Sequence, residues 1–260
     1  MSNIINSIKS EFTTRTWVLM VIAIAINIAI GQIIVILKLP IYLDSIGTVL
    51  VGALVGPWAG MLTGALANII WGLTGLYPEA IAFFYVAAVI GLLAGIAGKL
   101  GLFEKTSPRW LSTIIGGLFF FTLTLFVIEL INLEISPDGY PMLPNAGDVV
   151  QQNLAIFIII TILGMVIGYF FMANAAYAGL SGLITGIIAA IISAPTAAVV
   201  FGGVTGAGTD LLVAAFRASG AGIMQSTFAQ GAVSDPLDKM ISFLIVWAII
   251  QALPMRYKTR

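Results

Sequence analysis

Long apolar runs, separated by short polar segments, dominate the chain. A helix of about 20 apolar residues matches the thickness of a bilayer's hydrocarbon core, so each long run predicts a membrane helix. The runs cover residues 17–37, 45–56, 58–74, 80–98, 111–133, 149–172, 177–200 and 236–251. The second and third runs are short and meet at Gly56 and Pro57, so they form either two short spans or a re-entrant hairpin.

Composition agrees with this pattern. Hydrophobic residues make up 60% of the chain and charged residues only 8%, whereas a soluble domain has about 25% charged residues. We therefore predict an all-α, polytopic membrane protein with six to eight spans and short, broken, glycine-rich helices. We expect residues 1–260 to form a single membrane domain that is embedded in the lipid bilayer.

The residue types that are missing exclude several kinds of chemistry. The chain has no cysteine and no histidine. Disulfide scaffolds, Cys/His metal sites and Ser–His or Cys–His nucleophile pairs are therefore excluded. Eleven basic and eleven acidic residues give no net charge that would favour nucleic acid as a partner. We expect no enzyme activity, no cofactor and no metal.

Charge in the polar segments predicts orientation. Basic residues lie before the first run, in the 99–110 segment and at the C-terminus, whereas the 134–148 segment has only acidic ones. By the positive-inside rule, both termini and the 99–110 segment are cytoplasmic in the plasma membrane, and the 134–148 segment lies outside. The 201–235 segment then lies outside or re-enters from outside. The basic residues of these three segments are Lys9, Arg15, Lys99, Lys105, Arg109, Arg256, Lys258 and Arg260. We take the first run as a membrane span, because no convincing cleavage site follows it.

Small residues recur every four positions in two places. One series includes Gly52, Gly60 and Gly64, and the other runs from 182 to 206. Such a spacing places small residues on one helix face, where helix backbones can approach closely. Shifted by 138 residues, Pro57 falls on Pro195. This echo predicts a broken helix in each half of an internal repeat, about 17–133 and 149–252; a chance match is the alternative.

Several polar residues are candidates for a solute site. Asp44 is either a helix N-cap or a ligand contact at the outer mouth. Asp235 precedes Pro236, which is typical of a helix start. Thr205 and Asp210 belong to a glycine-rich segment that lacks the Gly-Lys-Ser/Thr ending of a phosphate loop, so a nucleotide site is rejected. Asp210 either caps the next short helix or, with Arg217, contacts the solute.

Asn68 and Trp71 lie within one turn on the same run. An amide and an indole together suit a flat heterocycle, through hydrogen bonds and stacking. The alternative is that Asn68 bonds a neighbouring helix and Trp71 is an interfacial anchor. Asn27 and Gln32 are expected to form interhelical bonds, and Glu129 to reach water at the outer end of its span. The predicted substrate-binding residues are Asp44, Asn68, Trp71, Thr205, Asp210 and Arg217.

Three stretches resemble a known family. They are "PIYLDSIGTVLVGALVGPWAGMLTGALANIIWGL", "SAPTAAVVFGGVTGAGTDLL" and "DPLDKMISFLIVWAIIQALPMR". They resemble the S components of energy-coupling factor (ECF) transporters, and in particular an uncharacterised branch of that family. The resemblance covers roughly 40–100 and 177–256. Members of the family are usually shorter and have fewer helices than this chain.

The resemblance implies that the chain is the substrate-specific subunit of an importer. Such a subunit captures a vitamin or related micronutrient outside the cell, then topples against a transmembrane coupling subunit driven by two cytoplasmic ATPase subunits. The Ala-x-x-x-Ala spacing of Ala25 and Ala29 implies the docking face. The residues leave the solute unnamed, and favour a neutral or zwitterionic heterocycle over a polyanion. The alternatives are a stand-alone secondary transporter and a non-transporting sensor or scaffold.

Overall fold

The computed structural model describes residues 8–132, 134–135, 141–142 and 146–254. Its regular structure is almost wholly helical, with one two-residue antiparallel pairing of β1 (Glu134–Ile135) and β2 (Pro141–Met142). The helices are α1 (Thr14–Ile36), α2 (Ile46–Leu54), α3 (Pro57–Leu73), the 3-10 helix η1 (Pro78–Phe83), α4 (Phe84–Lys99), α5 (Arg109–Ile131), α6 (Ala146–Gln152), α7 (Leu154–Phe171), α8 (Ala176–Val199), α9 (Asp210–Ala218) and α10 (Ile223–Ala252). The terminal Arg256, Lys258 and Arg260 used for orientation lie outside the described residues.

Five of the described helical segments are long and apolar enough to cross a membrane: α1, η1 with α4, α5, α7 and α8. The chain is therefore an all-helical, multi-pass membrane protein. The other predicted spans have features that set them apart. Helix α2 has only 9 residues and α3 has 17, and α10 carries three ionisable residues in its interior. The number of spans stays a prediction.

The predicted break between the second and third runs is present. Gly56 has φ of +147°, a conformation that glycine adopts without steric cost, and Pro57 opens α3. The buried Glu11 carboxylate accepts hydrogen bonds from the backbone N–H groups of Trp58 at 2.9 Å and Ala59 at 3.0 Å. Lys99 Nζ lies 2.9 Å from the same carboxylate. An acidic group at a helix N-terminus also complements the helix dipole.

The matching break in the second half is absent. Pro195 lies inside the continuous helix α8, so the expectation of a broken helix there was wrong. The residue before Pro195 is Ala194, which lies inside the helix and has no positive φ. The residue before Pro57 is Gly56, which has one. The 138-residue echo therefore does not extend to the helix boundaries.

The helix start predicted at Asp235 was also wrong. Helix α10 begins at Ile223 and continues through Pro236. At its actual start, the Gln225 side chain accepts a hydrogen bond from the Gly222 N–H at 3.1 Å. Residues 223–235, expected outside or re-entrant, are thus part of a long helix. The short helix expected near 210–219 is confirmed as α9.

Glycines bring helix pairs into close contact, as their spacing predicted. A Cβ on Gly60 would lie 2.5 Å from the Gly91 carbonyl oxygen, and one on Gly182 would lie 2.6 Å from the Lys239 carbonyl oxygen. Helix α3 therefore packs directly on α4, and α8 on α10. Gly116 and Gly164 join α5 to α7 in the same way. The main apolar core lies between α2, α4, α8 and α10.

Buried polar residues on α1 bond across helices as expected. Asn27 Nδ2 donates to Thr48 Oγ1 at 2.7 Å and Asn27 Oδ1 accepts from the Gly47 N–H at 2.7 Å. Glu129 differs from expectation. Its side chain does not reach water: the residue is 3% exposed, and Oε2 has no hydrogen-bond partner within the described residues.

Candidate functional site

A cleft opens at one end of the helix bundle, beneath the segments that follow α1, α3 and α8. Its cavity volume is about 70 Å³, below the roughly 300–1,000 Å³ of small-molecule sites, so a solute of that size requires the cleft to widen. Four of the predicted residues line it: Asp44, Asn68, Trp71 and Thr205. These four residues come from three separate segments of the chain, and the fold brings them together at one cleft.

The aromatic wall of the cleft is held in a fixed geometry. Trp71 donates from Nε1 to Gln32 Oε1 at 2.8 Å, and its ring lies 5.0 Å from that of Tyr77, tilted by 50°. Gly31 makes room for this arrangement, because a Cβ there would lie 2.6 Å from Trp71 Cη2. Tyr42 and Phe83 extend the wall. A planar ligand would meet a rigid aromatic surface, which suits stacking.

Both tyrosines of the wall keep their protons. Burial raises the pKa of the Tyr77 hydroxyl well above its ordinary value, and nearby Asp210 adds to the effect. Burial likewise raises the pKa of Tyr42. Tyr42 shares a hydrogen bond with Thr209 at 2.9 Å. These hydroxyls are therefore neutral donors or acceptors at physiological pH.

Asn68 faces the cleft without a partner. It is 6% exposed and lines the cleft from α3. Within the described part of the chain its carboxamide makes no hydrogen bond, and its polar atoms are not among the fully buried atoms that lack a partner, so they are open to the cleft. The group therefore has a donor and an acceptor ready for a bound molecule. The interhelical bond considered as the alternative for Asn68 is not formed.

A buried ion network forms the floor of the cleft. The Lys239 ammonium donates to the Asp238 carboxylate and to Ser45 Oγ, the latter at 3.0 Å, and lies 3.5 Å from Asp44 Oδ1. Asp238 is fully buried and accepts a second hydrogen bond, from the Leu43 N–H at 2.9 Å. Leu43 has φ of +49°, which is uncommon for a residue other than glycine. The network thus fixes the segment that carries Asp44.

Asp235 lies one helical turn from Lys239 on α10 and also lines the cleft. It is 5% exposed, and Ser234 Oγ donates to its Oδ1 at 3.0 Å. Gln230 donates from Nε2 to Ser234 at 2.7 Å. This chain of hydrogen bonds orients the carboxylate at the cleft wall. Asp235 therefore acts as a lining group, not as the helix cap that its neighbouring proline indicated.

A glycine-rich loop, residues 200–209, closes one side of the cleft. The Asp210 carboxylate accepts from the backbone N–H of Thr205 at 3.0 Å and of Gly206 at 2.7 Å. Lys38 donates to the Gly206 carbonyl oxygen, which ties the loop to the end of α1. Gly203 and Gly206 have φ of +83° and +77°. Asp210 thus holds the loop in place and does not itself line the cleft.

Two further predictions concern exposed residues. Arg217 on α9 is exposed and does not line the cleft. Ala25 and Ala29 lie on the exposed face of α1. Tyr42, Tyr77 and Gln230 were not predicted from the sequence, and Asp235 and Lys239 were not placed at the site. A signal existed for Asp235 and Lys239, because charged residues in or beside an apolar run mark functional positions by default.

No cluster of three or more acidic, histidine or cysteine side chains with metal-site geometry occurs in the described ranges. The site offers hydrogen bonding, stacking and charge to a small molecule. Comparison of the chain with family models, curated proteins and solved structures finds no match.

Proposed function

We propose that this chain is the substrate-binding membrane subunit of an ECF-type importer, which captures a vitamin or related micronutrient from outside the cell. The observation that carries the proposal is the Asn68 carboxamide, which lines the cleft beside the fixed Trp71 indole and bonds no described residue. Desolvating an amide is unfavourable unless something bonds to it. A bound solute provides that bond, and the resemblance to S components supports the same function.

The position of the cleft suits capture from outside. It lies beneath the segments that follow α1, α3 and α8, at the end of the bundle away from Lys99 and Arg109. With the basic segments in the cytoplasm, the cleft opens to the outside. The loop of residues 200–209, anchored by Asp210, then covers a solute once it has entered.

The proposed partners are a transmembrane coupling subunit and two cytoplasmic ATPase subunits. Ala25 and Ala29 are exposed on α1 among larger apolar side chains such as Val21 and Ile33. A small-residue face allows close approach of another membrane helix. This surface is the proposed docking face for the coupling subunit.

The test is to identify the small molecules that leave the purified protein. The chain is purified in mild detergent without dialysis, then denatured, and the released compounds are identified by mass spectrometry. We expect one compound at close to one molecule per chain in the wild type. The Asn68→Ala variant loses hydrogen bonds to it, so the retained amount falls by tenfold or more.

Arg217→Ala is the matched control, because Arg217 is exposed and lies outside the cleft. This variant retains the compound at the wild-type level. Equal retention by wild type and Asn68→Ala, or an empty wild-type protein, would argue against the capture function.

A second candidate function is a stand-alone secondary transporter. The buried network of Asp44, Asp238 and Lys239 favours it, because such groups mark ion and proton pathways in transporters. The two functions differ in what drives uptake. Proteoliposomes that contain only this chain accumulate the identified solute under a proton or sodium gradient if it is a secondary transporter. They accumulate none if it needs ATPase partners.

A further inference from the structure

We infer that the cleft binds an organic cation, a flat heterocycle or arylalkylamine that carries one positive charge. Its charge lies between the carboxylates of Asp44 and Asp235, and its ring against Trp71 and Tyr77. This inference rests on the proposed capture function and specifies the chemical class of the captured solute. It also differs from the neutral or zwitterionic ligand that the sequence favoured, because the fold adds charged groups to the cleft.

The one basic side chain that lines the described part of the cleft is already engaged. Lys239 donates to the Asp238 carboxylate and to Ser45 Oγ, and its third neighbour is Asp44 at 3.5 Å. An ammonium group has three N–H donors. Lys239 and Asp238 form a neutral buried pair, so Lys239 offers no free donor to an anionic ligand.

The acidic side chains have capacity left. Asp44 has Lys239 at ion-pair distance but accepts no hydrogen bond within the described residues, and its side chain is 21% exposed. Among those same residues, Ser234 alone donates a hydrogen bond to Asp235. Each carboxylate can accept about four hydrogen bonds. With Lys239 and Asp238 paired, Asp44 leaves the cleft with excess negative charge, and both remaining carboxyl groups have unfilled acceptors.

Two observations independent of the acidic residues point to a ligand. The Asn68 carboxamide is buried at 6% exposure, lines the cleft and has no partner in the described structure. The rings of Trp71 and Tyr77 lie 5.0 Å apart on the same wall. Aromatic faces attract cations, most strongly where water is excluded. An amide, an aromatic wall and two carboxylates together match a ring with a positive substituent.

The same arrangement disfavours other ligand classes. A phosphate or carboxylate would face two acidic groups and find no free cation, and like charges in a poorly hydrated site repel strongly. A neutral ring would cover Asp235 without supplying a counter-charge, which is unfavourable for a buried carboxylate. The charge distribution therefore selects cations.

The inference is tested with three indole probes of similar size and different charge. They are tryptamine (cationic), indole (neutral) and indole-3-acetate (anionic). Binding to the full-length chain in detergent is measured by isothermal titration calorimetry, with thermal stabilisation as a second readout. We expect tryptamine to bind at least tenfold more tightly than either of the other two.

Variants connect this selectivity to the two carboxylates. Asp44→Asn and Asp235→Asn each keep the side-chain shape but remove a charge, and each is expected to weaken tryptamine binding by tenfold to a hundredfold. Asp148→Asn is the matched control, because Asp148 is exposed on α6, away from the cleft. It leaves tryptamine affinity unchanged. The thermal midpoint of each variant shows whether it is folded, and the probe preference of the wild type does not depend on any variant.

The outcomes separate the inference from the function on which it rests. Equal or tighter binding of indole-3-acetate, or full tryptamine affinity in both Asn variants, overturns the cationic class. If, in addition, the purified chain releases a neutral or anionic compound, the capture function stands with a different solute class. If no probe binds and no compound is released, both are overturned. A released cationic compound that is absent from the two Asn variants supports both.

Discussion

Lys239 is the residue on which the geometry of the cleft depends most. It is 2% exposed and pairs with the fully buried Asp238. Removing charges from water costs more than a single ion pair returns, so such a pair is not a source of stability in itself. The pair does fix the position of the segment that carries Leu43 and Asp44. Asp238 accepts a hydrogen bond from the Leu43 N–H, and Lys239 donates one to Ser45 Oγ.

Lys239→Met should destabilise the protein severely, because it leaves the buried Asp238 carboxylate without its cation. We expect the free energy of unfolding to fall by about 3–5 kcal/mol. The double variant Lys239→Met/Asp238→Leu removes both charges and should recover part of this loss. Unfolding in detergent, followed by tryptophan fluorescence, measures the difference.

Lys9→Met is the control for this comparison, because Lys9 is exposed and the change removes one charge from the surface. It should unfold as the wild type does. A Lys239→Met variant as stable as the wild type would mean that Asp238 finds another partner or is uncharged.

At the scale of the helices, sequence spacing predicted packing better than it predicted helix ends. The four-residue step of small side chains identified faces that do pack closely, as Gly60 on Gly91 and Gly182 on Lys239 show. A proline alone does not mark where a helix ends. Gly56 before Pro57 has φ of +147°, and the helix breaks there. Pro195 and Pro236 lie inside helices instead.

Gly64→Ala tests how strictly α3 and α4 require this contact. A Cβ at position 64 would lie 2.1 Å from the Ala87 carbonyl oxygen, which is backbone and cannot turn aside. Overpacking of this kind costs about 1–3 kcal/mol. Thermal unfolding in detergent should show a lower midpoint for this variant.

Gly222→Ala is the matched control, because its nearest neighbour to a new Cβ would be Gln225 Oε1 at 3.7 Å. The same addition of one methyl group should there leave the midpoint nearly unchanged. If both variants unfold alike, close packing of the glycine face is not what stabilises this helix pair.

For the whole molecule, the sequence reveals the parts of the site that are local. Asn68 and Trp71 share a helix face because of their spacing, and both line the cleft. The contact of Lys239 with Ser45 joins residues 194 positions apart. No periodicity within one segment predicts such a contact, since it depends on how α2 and α10 pack. The charge of the site was therefore misjudged from sequence.

The proposed docking face predicts variants that lose uptake but still bind the solute. Ala25→Leu combined with Ala29→Leu enlarges an exposed face of α1 and leaves the cleft unchanged. Helix association across small residues is sensitive to added volume. Uptake by cells that contain the partner subunits should fall strongly, while the purified variant retains its solute.

Ala155→Leu, on the exposed face of α7, is the control and should leave uptake unchanged. Normal uptake by the double variant would contradict docking through Ala25 and Ala29. Loss of the retained solute would show instead that the substitutions disturb the fold.

The central claim is that the cleft holds a small solute against Asn68 and Trp71. A crystal structure of the chain, purified in detergent with no ligand added, tests it most directly. The account predicts electron density for a compact, planar molecule, with hydrogen bonds to the Asn68 carboxamide and its ring against Trp71. A cleft filled by protein side chains or by a lipid chain, with Asn68 bonded to a neighbouring helix, would contradict it.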